Sequence, residues 1–223
     1  MKQTLAATRP EKAALTRREP HQERAKNTVA KILAASHRIL VEDGIDGLTT
    51  RKIASAAGIS VGVLYQYFPS KQAVLYRIFD DRLQHALAVF DEAFADLCSP
   101  LEASLKRFFE LHLEAGVLNR LDLELRNAVD RDPRLAEMTR HFESELSHRY
   151  VELLRSHGST MSDAELHAMA DYMHELDHIN MKLQHHATRE QRKMHAAMTT
   201  HIIYSLLTRG GVLHGNARPE VLS

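Results

Sequence analysis

The sequence predicts an all-α protein of about nine helices, with a small N-terminal three-helix head and a longer C-terminal helical body. Three observations carry this prediction. Apolar residues recur at helical rather than alternating spacing along nearly the whole chain, and no strand pattern or internal repeat competes. Only nine glycines and six prolines interrupt 223 residues, which leaves room for long helices. Paired cap signals, a short polar residue followed three positions later by Glu or Gln, mark successive helix starts. An apolar content of 44 % is sufficient for a packed core.

Residues 1–23, with Pro10, Pro20 and scattered charge, are expected to form a mobile tail. Its Arg17 and Arg18, with Arg24 just beyond, either bring positive charge to a DNA minor groove or simply stay solvated. The head is expected over 24–70. A first helix at about 24–43 carries Val29, Ile32, Leu33, Ser36, Ile39 and Leu40 at helical spacing and ends at Asp43-Gly44. Thr49 is placed to cap a second helix at 50–57, with Ile53, Ala54 and Ala57 turned inward. Gly58-Ile59-Ser60 then forms a turn. Gly58 suits a left-handed backbone, Ile59 reaches the core, and Ser60 caps a third helix at 61–67 that stops before Pro69. Leu64 and Phe68, one turn apart, face inward and leave Gly62, Tyr65 and Gln66 outside. Two short helices around a three-residue turn have helix-turn-helix geometry, suited to entering a DNA groove.

The body is expected over 71–223. A long connecting helix is predicted at 71–98, and Ser99-Pro100-Leu101-Glu102 starts another at 101–118. Further helices are predicted at 120–130, at 133–157 after the Asp132-Pro133 cap, and at 163–187 after Ser162-x-x-Glu165. The last follows Thr188-x-x-Gln191 over 189–209 and stops at Gly210-Gly211. The two helices over 163–209 carry Met and Leu on several faces, so they need burial on more than one side. Pairing with the same helices of a second copy would supply it as a four-helix bundle.

The formal net charge is zero, but it is unevenly spread. Residues 1–80 hold 13 Lys+Arg against 7 Asp+Glu, and the remainder holds 16 against 22. A basic head beside an acidic body fits a nucleic-acid binder whose remainder DNA repels. The single cysteine, Cys98, excludes an intrachain disulfide and suits a reducing compartment. No apolar run reaches membrane-spanning length, and the N-terminus lacks a signal peptide's apolar core. A cytoplasmic protein with no membrane partner is therefore expected.

Leu48–Lys71 resembles the DNA-binding domain of the TetR family of transcriptional regulators. The likeness rests on Thr49-Thr50-Arg51-Lys52-Ile53-Ala54, on Ala57-Gly58-Ile59-Ser60, and on Gly62, Leu64, Tyr65, Tyr67, Phe68 and Lys71. It implies phosphate contacts by Thr50, Ser60, Tyr67 and Lys71, and hydroxyl, helix-start and ammonium groups all suit phosphate oxygens. Gln66 is a further candidate for phosphate or base. Arg51 is the candidate base reader, because its fork matches guanine O6 and N7. Gly62 lets the backbone approach the bases, and Tyr65 can pack on them. Val61 and Val63 depart from the family pattern. Either they contact thymine methyls or they pack against the first helix.

The resemblance also implies a homodimer on a palindromic operator and a small effector, still unidentified, bound in the body. Candidate pocket residues are Phe90, Phe94, Phe108, Phe109, His112, Met138, Phe142, Tyr150, Tyr172 and Met173; any of them can equally be simple core. Effector binding is expected to act through the connecting helix and change the spacing of the two heads, most often as release of a repressor. Of the 15 histidines, His167, His174 and His178 share one helix face, either as a speculative metal site or as a polar stripe. No cofactor is expected. No nucleophile elbow, phosphate loop or HExxH motif is present, so an enzyme is not expected. The alternatives are a nonspecific nucleoid-associated DNA binder and a metal-responsive version of the same regulator.

Overall fold

The computed structural model describes residues 23–96, 100–114, 120–185 and 187–209. Among them are nine α-helices and no strand. They are α1 (Glu23–Gly47), α2 (Thr50–Ala57), α3 (Val61–Tyr67), α4 (Lys71–Ala93), α5 (Leu101–Glu114), α6 (Arg120–Val129), α7 (Pro133–Ser156), α8 (Asp163–His185) and α9 (Arg189–Arg209). The expected order of elements is thus present, and most ends differ by a residue or two. Two differ for visible reasons. α1 is broken at Gly44, whose φ of 71° leaves the helix where Asp43-Gly44 was expected to end it, and a short turn then runs to Gly47. α4 ends at Ala93 rather than near 98. Phe94 still donates to the Phe90 carbonyl, but its ring turns into the core. Cys98, Ser99 and the tail with Arg17 and Arg18 lie outside the described residues, and no helix among those described is long and apolar enough to cross a membrane.

The chain divides into two compact units between Asp81 and Arg82, within α4 rather than before it. In the first unit Val29, Ile32, Ala35, Ile39 and Leu40 of α1 are buried with Leu48, Ile53, Ala54, Leu64 and Phe68. Ser36 shares that burial because its hydroxyl donates to the Ile32 carbonyl at 2.8 Å. Ala73, Val74, Leu75, Ile78 and Phe79 bury the start of α4. In the second unit α7 packs on α8 and α8 on α9, with α6 against α7 and α8. The Phe90 ring lies 4.6 Å from Phe94, 4.9 Å from Tyr150 and 6.0 Å from Phe108, in tilted and edge-on contacts. Leu154, Leu166 and Leu207 extend this core.

Local caps set the helix starts. Asp132 Oδ1 accepts from Arg134 N at 2.9 Å and Leu135 N at 3.4 Å, with Pro133 in the first helical turn. Asp132→Ala leaves those amides without their acceptor and is expected to cost about 1 kcal/mol, read as a lowered thermal midpoint. Glu165 reaches back to Ser162 N at 2.8 Å, and Gln191 to Thr188 N at 2.8 Å, each completing a capping box.

Arg155 holds Asp163 at 2.7 Å across the turn between α7 and α8. That hydrogen bond and charge, with a smaller contribution from His167, keep the Asp163 carboxyl below the ordinary carboxylate range. A depressed folded pKa contributes stability above the unfolded value and loses it as the pH falls through the folded one. Wild type and Asp163→Asn are therefore expected to melt apart near neutrality and together in strong acid. The neutral-pH difference is small, because the pair is exposed.

Candidate nucleic-acid interface

The outward face of α2 and α3 is built by two caps and a turn. Thr49 Oγ1 accepts from Lys52 N at 3.2 Å and starts α2. α2 closes at Gly58, whose φ of 67° is left-handed. Gly58 N donates to the Ser55 carbonyl and Ile59 N to the Ala54 carbonyl. This paired closure satisfies carbonyls that a helix end otherwise leaves open. Ser60 Oγ accepts from Val63 N at 3.2 Å and starts α3 at once. Phe68 then adopts an extended backbone before Pro69, which ends α3 after seven residues. Leu64 and Phe68 have no exposed surface and fasten α3 to the core.

What remains outside is the set of candidate contacts. Arg51, Ser60, Gly62 and Gln66 are exposed, Val61 is 37 % exposed and Tyr65 39 %; Thr50, Val63, Tyr67 and Lys71 are half-buried. The Ser60 hydroxyl uses a lone pair as a cap, so its O–H is left to donate to an anion. Lys71 opens α4, where the helix dipole disfavours a cation in the absence of a nearby anion. A Cβ built on Gly62 would meet only Ser60 Oγ, at an ordinary 3.8 Å. Nothing inside the head therefore requires glycine at that position.

Two contributors were not singled out by sequence. Lys52 is an exposed ammonium 3.1 Å from Asp43, so it bridges α2 to the end of α1 beside the interface. The pairing spans the break at Gly44, and local spacing does not signal it. Ser70 Oγ accepts from Ala73 N at 3.2 Å and caps α4 beneath Lys71. The Pro69-Ser70 pair was the available signal for this cap.

The model of the family described as bacterial regulatory proteins, tetR family, matches residues 32–78, from the middle of α1 into α4. Over these residues the chain carries a tetR-family domain. Among its relatives is the HTH-type transcriptional regulator EthR of Mycolicibacterium smegmatis, 33 % identical over 82 residues, covering 37 % of this chain and 38 % of that protein. The HTH-type transcriptional repressor KstR of the same organism is 30 % identical over 131 residues, covering 58 % of this chain and 57 % of that protein. The chain thus spans about two-fifths to three-fifths of the length of these curated relatives. A crystal structure of a transcriptional regulator from Rhodococcus sp. Rha1 superposes with a TM-score of 0.63 at 17 % identity, covering 83 % of this chain and 99 % of that one, which shows the shared fold.

In the body the expected pocket residues separate. Phe90, Phe94, Phe108, Tyr150 and Met173 belong to one buried cluster and its edge. Met138 and Phe142 are half-buried on α7, and Phe142 faces His174 at 5.8 Å. Tyr172 is 53 % exposed, because it lies beside and outside the buried stripe of α8 formed by Leu166, Met169, Ala170 and Met173. The side chains of Phe109 and His112 lie outside those described. The histidine stripe separates as well. His167 Nδ1 lies 2.8 Å from Ser147 Oγ, whereas His174 Nε2 lies 3.4 Å from Glu143; the His178 side chain is outside those described. Among the described residues no group of three His, Cys, Asp or Glu side chains could hold a metal.

Proposed function

We propose that this chain is a transcriptional regulator that binds double-stranded operator DNA through α2 and α3. The observation that carries the proposal is the outward face of α3. Its first turn presents a glycine without an internal reason, followed three residues later by an exposed tyrosine, and α2 carries an exposed arginine, Arg51. Thr50, Ser60, Gln66, Tyr67 and Lys71 act as phosphate contacts, which supply register and affinity. Arg51, Val61, Gly62, Val63 and Tyr65 meet the base edges. Nuclease protection on the DNA upstream of the chain's own gene tests this, with a short protected palindrome expected and uniform cleavage counting against it.

Val61, the more exposed of the two valines, is the better placed to meet a thymine methyl. Replacing a contacted thymine by uracil is expected to weaken binding roughly fourfold, the equivalent of about 0.8 kcal/mol for one buried methyl. Unchanged affinity at every thymine of the half-site would assign both valines to packing.

The regulator acts as a homodimer. Tyr172, Ile179 and Leu183 are exposed at helical spacing on α8, and Met194, Met198 and Ile202 at helical spacing on α9. Two apolar stripes on consecutive helices suit pairing with a second copy, and two heads then read a palindrome. Sedimentation as a monomer at micromolar concentration would remove this part. Repression relieved by a small effector completes the proposal. An effector that enters the cluster around Phe90 must part rings now 4.6–6.0 Å apart, which ties occupancy to a change in packing.

A further inference from the structure

α7 and α8 bring together two histidines that sequence spacing does not pair. His148 of α7 and His167 of α8 lie with ring centres 5.4 Å apart and planes at 70°. Each ring is held through its Nδ1. That of His148 lies 2.6 Å from the Ser144 carbonyl oxygen, and that of His167 2.8 Å from Ser147 Oγ. A carbonyl only accepts, so His148 Nδ1 carries the proton and the neutral ring keeps its lone pair on Nε2. The Ser147 hydroxyl can accept in the same way and leave His167 Nε2 with a lone pair. An imidazole anchored through one nitrogen with the other free is the arrangement of a metal-binding histidine and its outer partner.

We infer that His148 and His167 form a two-imidazole site for a divalent transition-metal ion, bridging α7 to α8. Metal–nitrogen bonds of about 2.0–2.1 Å, at a right or tetrahedral angle, hold two ring centres about 4.5–5.2 Å apart. The observed 5.4 Å is within a few tenths of an ångström of that range. His148 is exposed and His167 half-buried, so an ion can enter from solvent and keep water in its remaining positions. With only two protein ligands the site selects by intrinsic affinity, which places Cu²⁺ above Ni²⁺ and Zn²⁺. It differs from the stripe of His167, His174 and His178 along α8, because the second ligand comes from α7.

The test is a Cu²⁺ titration of the full chain, followed by calorimetry and by electron paramagnetic resonance. Wild type and the control His141→Ala are expected to bind one ion with two ring nitrogens in the resonance signal. His148→Ala and His167→Gln are each expected to weaken binding at least tenfold and leave one ring nitrogen. His148 is exposed, so its replacement leaves the helix packing intact and the comparison stands if His167→Gln fails to fold. Unchanged affinity and nitrogen count in His148→Ala would overturn the site, as would the absence of any Cu²⁺ binding by wild type.

Discussion

Replacing Gly62 with leucine is expected to leave the head folded while weakening operator binding by about a hundredfold or more. The two effects part because Gly62 has nothing to do inside the protein. A Cβ there meets only the Ser60 hydroxyl at ordinary contact distance, and the residue sits in a helix where a side chain is better tolerated than none. Stability is therefore expected to hold, or to rise by up to about 1 kcal/mol, from the lower unfolded-state entropy. The cost falls on the bound state, where a leucine side chain props α3 away from the base edges and several contacts lengthen together. Thermal melts and fluorescence anisotropy on the same sample read both effects. Wild-type affinity in Gly62→Leu would mean that this face of α3 does not approach DNA closely.

Leu64→Ala is expected to do the reverse and damage the fold first. Leu64 is fully buried and lies between the exposed residues of α3, so truncation empties the space through which the helix is fastened to the core of the head. Such truncations cost about 2–5 kcal/mol. A small domain has about 5–15 kcal/mol in all, so much of the head's margin is lost. Amide exchange in α2 and α3 and a lowered denaturant midpoint would report it, and binding should fall in step with the unfolded fraction. A change below about 1 kcal/mol would mean that α3 is not held by this core.

The different origins of these two effects mark what the sequence could and could not disclose. Caps and turns were legible, because Thr49, Ser60, Asp132, Ser162 and Thr188 act on amides two or three residues away. Gly58 was legible for the same reason: a left-handed closure is a local demand. The candidate interface was legible as an outward stripe. That a Cβ at Gly62 would meet only the Ser60 hydroxyl was not legible, because it depends on how the turn and α3 fold together. Distinguishing pocket from core was not possible, since both ask for apolar residues at helical spacing. Ring distances were needed to see that Phe90, Phe94, Phe108 and Tyr150 lie against one another, and burial to see that Tyr172 faces outward. His148 and His167 were equally hidden, because their contact joins two helices and follows no single period.

As proposed here, the head reads a DNA sequence and does not merely bind charge. The most direct measurement is the affinity ratio between the protected operator duplex and a random duplex of equal length at one fixed salt concentration. Phosphate contacts alone bind both equally, and base contacts separate them. A ratio of about a thousandfold or more is expected. Equal affinities, both falling steeply with salt, would contradict it and leave a nonspecific nucleoid-binding protein.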